Sequence, residues 1–132
     1  MHEFSICRGL LDQVDRIVRV NGAESVARIT LRIGPLSGVE IHLLERAFEA
    51  MRAESVVADA VLEIERTQVR VHCRACGAET APTGGRLVCG SCGAHEVVLS
   101  QGDELMLKDV ELVVGPAGAG AFASAVEKNV HV

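Results

Sequence analysis

Four of the chain's five cysteines fall in two Cys-x2-Cys pairs, Cys73/Cys76 and Cys89/Cys92, with twelve residues between the pairs. A pair at this spacing can form a knuckle, a tight turn that aims two sulfurs at one ion. Gly77, Gly90 and Gly93 sit in or just after the pairs, where a backbone without Cβ can turn closely toward sulfur. Four thiolates in a tetrahedron suit Zn2+ at about 2.3 Å, and such a cage leaves no open coordination position, so its role is structural. The loop between the pairs, GAETAPTGGRLV, is too short to bury a core of its own. Metal must fold it, with apparent energies on the order of 10–16 kcal/mol for small zinc modules. Two other readings compete. Four unrelated thiols would ignore the spacing. A rubredoxin-like iron site would use the same sulfurs, but such sites normally sit among packed aromatics, and residues 71–100 contain none.

The residues around this module read as a second body. Phe4, Cys7, Leu10, Leu11, Val14, Ile17 and Val18 recur at three-and-four spacing, which predicts a helix from about Ser5 to Val20. Asn21-Gly22 follows as a stop signal. Ala27, Ile29, Leu31 and Ile33 alternate with Arg28, Thr30 and Arg32, so Ser25 to Ile33 reads as a half-buried strand that Gly34-Pro35 ends. Ser37-Gly38-Val39-Glu40 matches a capping box ahead of a second helix, about Val39 to Ala53. Strand patterns return from Ala60 to Val71, where Val69 and Val71 continue after a break, and from Leu105 to Val114. The last breaks its alternation near Lys108-Asp109, where a bulge or bend is expected. The tail begins with Gly, Ala and Pro and reads as mobile, with room for a short helix at its end. A cysteine module between two strands is an insertion. The fold class is therefore α+β: a three-stranded sheet with two helices, carrying an inserted four-cysteine, zinc-ribbon-like domain. With three Phe and neither Trp nor Tyr, the core must be aliphatic.

Charge and motifs exclude several classes. Against 18 Asp and Glu stand 13 Lys and Arg, a net charge of −5, so the basic footprint of a nucleic-acid or anionic-lipid binder is missing. No apolar run approaches the roughly 20 residues of a membrane span. The opening MHEFSICRGLLDQ has acid early and no basic region before an apolar stretch, unlike an export signal, so a cytoplasmic location is expected. In a reducing compartment the cysteines serve as metal ligands and free thiols. Cys7, on the inward face of the first helix, reads as a small buried hydrophobe. His72 and His95 flank the module as outer imidazoles, His42 reads as helix surface, and His131 has no assigned partner. There is no P-loop, nucleophile elbow or HExxH helix, and the chain has two lysines, so no enzyme activity is expected.

Met1-His2-Glu3 is the second feature with chelating chemistry. Histidine is too bulky a second residue for routine methionine removal, so Met1 is expected to persist. The Met1 α-amine, the His2 amide and the His2 imidazole then lie within reach of one ion. The Glu3 amide or carboxylate can supply a fourth donor. A planar set of nitrogen and oxygen donors favours Ni(II) or Cu(II) over zinc, and binding through deprotonated amides weakens in acid. A histidine near a chain end is, taken alone, usually just part of a frayed terminus.

MHEFSI at the start, LRIGPLSGVE in the middle, the CRACG and CGSCG pairs, and QGDELMLKDVEL near the end occur in that order. Together they resemble the hydrogenase nickel-incorporation family (HypA/HybF), over nearly all of the chain up to about Val114. The resemblance implies a nickel metallochaperone that binds Ni(II) at its N-terminus and helps deliver it to the nickel–iron hydrogenase large subunit during maturation. His2 would be the essential side chain, with Met1 and Glu3 beside it. Cys73, Cys76, Cys89 and Cys92 would hold one structural Zn2+ per chain. The implied partners are a nickel-binding maturation GTPase, the hydrogenase large-subunit precursor and, in some organisms, urease accessory proteins. Glu40 sits where an acidic residue of the family can lie near nickel, a position the capping box explains equally well. On this reading residues 1–70 plus 101–114 form a discontinuous nickel-binding domain, 71–100 the zinc-binding domain, and 115–132 a flexible tail longer than the family needs. The alternative from another class is a zinc-ribbon adaptor binding nucleic acid or a protein partner. Between Cys73 and Cys92 only Arg74 and Arg86 are basic, which weighs against nucleic acid.

Overall fold

The computed structural model describes residues 2–53, 55–82, 85–114, 122–125 and 130–131, the last two segments by their backbone. In chain order the elements are α1 (His2–Val20), β1 (Ala23–Ile33), α2 (Ile41–Met51), β2 (Val61–Arg66), β3 (Arg70–Cys73), β4 (Glu79–Thr80), β5 (Val97–Gln101), β6 (Leu105–Val114), β7 (Phe122–Ala125) and β8 (Val130–His131). The chain divides into two compact units. The first takes Met1–Arg32, Val39–Glu65 and Leu105–Val132, the second Ile33–Gly38 and Arg66–Glu104.

In the first unit, α1 buries Cys7, Leu10, Val14, Ile17 and Val18, the face its apolar spacing predicts. It starts at His2, three residues before the predicted start at Ser5, and its first turn includes Glu3, buried at 7% exposure. The stop at Asn21 has a local cause. Its backbone N–H and its side-chain Nδ2 both donate to the Ile17 carbonyl, at 3.1 and 2.8 Å.

The second helix is shorter than predicted, and the expected capping box does not form. Glu40, not Ser37, is the N-cap, and it makes no side-chain capping bond. The Glu40 N–H instead donates to Glu3 Oε2 at 3.1 Å. A carboxylate from α1 thus does at a distance what Ser37 was expected to do locally. From there α2 buries Leu44, Ala47 and Phe48. The Arg52 guanidinium lies 4.9 Å from the Phe48 ring centroid and donates to the Ala58 carbonyl at 3.0 Å, which ties down the turn after the helix.

The sheet runs β2-β1-β6, the three strands expected, and two more follow. The tail, expected to be mobile with a short helix, supplies them. β7 pairs antiparallel with β6 from Val110↔Ala125 to Val113↔Phe122, and β8 pairs at Met106↔His131 and Leu107↔Val130. Any strand edge presents a row of unpaired N–H and C=O groups, which is what a following segment can satisfy. The rest of the expected tail, residues 115–121, 126–129 and 132, lies outside the described residues. In β6 the buried positions jump from Leu107 to Val110, so the alternation slips where predicted. A second slip, from Val26 to Ile29 in β1, breaks the regular pattern expected there. The polar face is laced across strands. Arg28 reaches Glu63 at 3.4 Å and Glu111 at 3.3 Å, Arg32 reaches Glu65 at 2.8 Å, and Lys108 also meets Glu65.

The second unit is a small antiparallel sheet, β4-β3-β5. The strand pattern over Ala60 to Val71 becomes two strands, separated near the break expected before Val69, where Thr67 N–H donates to the Ile33 carbonyl at 3.1 Å. The segment 33–38 belongs here because it is bonded to residues 102–104. Gly34 N–H donates to Glu104 O at 2.8 Å and Leu36 N–H to Gly102 O at 2.7 Å. A Cβ on Gly34 would lie 2.2 Å from Gly102 O, so no other residue fits without moving backbone.

Candidate metal centres

The two cysteine pairs sit in two copies of the same turn, Cys73-Arg74-Ala75-Cys76-Gly77-Ala78 and Cys89-Gly90-Ser91-Cys92-Gly93-Ala94. Three of their backbone N–H bonds match one for one. In each, the first cysteine's N–H donates to the alanine carbonyl at 2.9 Å, and the glycine N–H returns to the first cysteine's carbonyl at 2.9 Å. In each, the second cysteine's N–H points at the first one's sulfur at 3.4 Å. β3 delivers Cys73 at its end, and both first cysteines are buried while both second ones are exposed.

The four sulfurs converge. Cys73 Sγ lies 3.6 Å from Cys92 Sγ, Cys76 Sγ lies 3.6 Å from Cys89 Sγ, and all four ligand atoms fall within 4.8 Å of one another. Disulfide sulfurs stand at about 2.05 Å, and all four thiols are free. A tetrahedron with metal–sulfur bonds of 2.3 Å has edges of about 3.8 Å, so the array fits a zinc-sized ion. N–H groups of Cys92 and Ser91 hold the Cys89 thiol down to about 6. At Cys92 the Ala94 N–H pulls downward, but the Cys73 sulfur, desolvation and the other two sulfurs outweigh it and push the thiol up to about 12. Four thiolates this close repel one another, and a divalent cation at their centre removes the conflict.

Among the described residues this is the one group of three or more His, Cys, Asp or Glu close enough to hold an ion. His72 and His95 are exposed and outside it. His42 is exposed on α2, with Nδ1 3.6 Å from Glu45 Oε1. Cys7 is fully buried in α1, and burial pushes its thiol up.

The N-terminal residues are arranged differently. Met1 lies outside the described residues. His2 is exposed in the first turn of α1, where backbone N–H groups have no acceptor within the helix. Beside it the Glu3 carboxylate is committed to the Glu40 N–H, and this bond, followed by one from its own N–H, holds its carboxyl below the usual range. Glu40 is therefore at the same end of the unit as His2, through its backbone, with its side chain exposed. The link between Glu3 and Glu40 spans 37 positions, and no local signal announces it.

A small α+β protein whose four cysteine sulfurs converge within 4.8 Å of one another is of the metal-binding class. A family model described as hydrogenase/urease nickel incorporation, metallochaperone, hypA matches residues 1–112, and the chain belongs to that family. The hydrogenase maturation factor HypA of Nitrosospira multiformis is 45% identical over 113 residues, covering 86% of this chain and 98% of that protein. The factor of the same name from Aquifex aeolicus is 38% identical, covering 86% and 99%. The solution structure of the Ni metallochaperone HypA from Helicobacter pylori superposes with a TM-score of 0.64 at 30% identity, over 86% of this chain and 98% of that one. A second solution structure of a HypA protein gives a TM-score of 0.69 at 31% identity, over 87% and 98%. β7 and β8 lie beyond the matched residues. Among the described residues no helix is long and apolar enough to cross a membrane.

Proposed function

We propose that this chain carries Ni(II) on its N-terminus and hands it to the large-subunit precursor of a nickel–iron hydrogenase, while one structural zinc holds the cysteine module. The observation that carries the nickel site is the start of α1 at His2. The His2 amide belongs to the four helix N–H groups without an internal acceptor, so a metal can take it without breaking the helix. The Met1 amine, the His2 amide and the His2 imidazole supply three donors and Glu3 the fourth. If that fourth donor is the Glu3 carboxylate, it must first release Glu40. Nitrogen and oxygen donors in a plane select Ni(II) over the zinc that prefers the thiolate cage. A site at a chain terminus stays open on one side, which suits hand-over. Glu40 is a further candidate ligand.

The role is that of a carrier, not a catalyst. A nickel-binding GTPase supplies the nucleotide hydrolysis, the exchange takes place in the cytoplasm, and urease accessory proteins are a second possible client. The test is a nickel titration of untagged protein beside His2→Ala and a form with residues fused ahead of Met1. Both changes should weaken nickel binding by roughly 100-fold, the scale at which removing a metal ligand's support already costs 10- to 100-fold, while zinc content stays constant. Nickel affinity unchanged in both would remove the N-terminal site.

A further inference from the structure

The two knuckles share those bonds but differ elsewhere: Ser91 N–H donates to Cys89 Sγ at 3.3 Å, and the residue after each first cysteine is held differently. The residue after the first cysteine has an N–H that each turn must satisfy. In the first knuckle Arg74 N–H donates to the Glu96 backbone carbonyl at 2.8 Å. In the second, Gly90 N–H donates at the same 2.8 Å to a side chain, the Thr80 hydroxyl. A carbonyl oxygen can only accept. A hydroxyl that accepts still has a proton to give, and Thr80 Oγ1 lies 3.9 Å from Cys89 Sγ, within reach of a weak bond to sulfur. Cys89 therefore receives three donors: Ser91 N–H at 3.3 Å, Cys92 N–H at 3.4 Å and the Thr80 hydroxyl.

The packing is close as well as polar. A Cβ on Gly90 would stand 2.5 Å from the Ala81 carbonyl oxygen and 3.3 Å from Thr80 Cβ and Oγ1. The second knuckle thus rests directly on β4. β4 is a two-residue strand that pairs with β3 at Val71↔Thr80, and β3 ends in Cys73. One hydroxyl therefore links the strand system that delivers Cys73 to the turn that carries Cys89.

We infer that Thr80 is a positioning residue of the metal cage: its hydroxyl holds the second knuckle on the sheet and donates to the Cys89 sulfur, which slows metal release and shields that sulfur from electrophiles. This rests on the zinc reading of the four cysteines. Donors to a metal-bound thiolate draw charge from sulfur and fix its direction, and removing such outer partners costs metal sites affinity. The first knuckle has no side chain in this role among the described residues. The structure thus builds the cage with one tethered half and one held by backbone alone.

Zinc-loaded full-length wild type, Thr80→Ser, Thr80→Ala and Thr80→Val are compared in two ways. Zinc loss to excess EDTA is followed with a coloured indicator, and alkylation of each cysteine by iodoacetamide is mapped by mass spectrometry. Thr80→Val and Thr80→Ala should release zinc roughly 10-fold faster than wild type, with Cys89 gaining reactivity before Cys73. Thr80→Ser keeps the hydroxyl and should behave as wild type. Should Thr80→Val fail to fold, the Ser and Ala variants decide. Equal release from all variants, or a Ser variant as leaky as Ala, overturns the inference. A wild type that holds no zinc overturns the zinc reading and this inference with it, and metal analysis before any release separates the two failures.

Discussion

Glu3, beside the proposed nickel site, has a carboxylate oxygen that accepts from the Glu40 N–H at the start of α2. Its carboxyl is held below the ordinary 4.5 first by the Glu40 N–H and then by its own N–H. A carboxyl lowered in the folded state adds stability that is complete above the unfolded value and lost as pH falls through the folded one. Acidification below 4.5 should therefore loosen the start of α2, and the Glu40 amide resonance should shift in step with Glu3 protonation. An amide that stays still through that titration would contradict the clamp. Gly34 gives a second case at this scale. With Gly102 O only 2.2 Å from the place of a Cβ, Gly34→Ala must move backbone. Overpacking of this kind costs about 1–3 kcal/mol. Urea denaturation of the zinc-loaded protein should show that loss, and a midpoint unchanged from wild type would mean the segment 33–38 yields freely.

Elements were legible where their cause is local. The spacing of Cys7, Leu10, Val14 and Ile17 makes α1, and the broken alternation at Lys108-Asp109 was visible in the residues themselves. Elements misread were those decided from afar. Ser37 and Glu40 fit a capping box by type and spacing, yet a carboxylate 37 positions away takes the cap. β7 and β8 come from a stretch rich in Gly and Ala with weak propensity, and only the edge of β6 makes strands of them. Deleting residues 115–132 should strip protection from that edge. Amides in Val110–Val113 that bond to β7 are expected to exchange roughly 10-fold faster, with β3 unchanged, in hydrogen–deuterium exchange. Exchange at β6 equal to that of the full chain would show that the tail strands add nothing.

At the scale of the whole molecule, two compact units divide the labour. The first has its own apolar interior, with Leu10, Val14, Ile29, Leu31, Leu44, Phe48, Leu107 and Leu112 all at or below 1% exposure. Among its described residues the second buries few side chains, chiefly Ile33, Val71, Cys73 and Cys89, so metal is expected to hold it. Chelation should melt β3, β4 and β5, since small zinc modules draw on the order of 10–16 kcal/mol from their ion. The helical circular-dichroism signal of α1 and α2 should survive, and its loss together with the zinc would contradict independent cores. The thiolate cage could be read from the sequence because two short repeats encode it. The tethering of that cage by Thr80, and of the first helix by Glu3, could not, because each depends on residues that only folding brings together.

On the proposed function, nickel and zinc occupy separate sites of different chemistry on one chain. X-ray absorption at the nickel edge of untagged, zinc-loaded protein carrying one added Ni(II) distinguishes them. The expected result is a planar shell of nitrogen and oxygen donors with no sulfur, lost in His2→Ala. A sulfur shell around nickel would place the ion in the cysteine cage, and a spectrum indifferent to His2 would remove the N-terminal site; either result contradicts separate nickel and zinc sites.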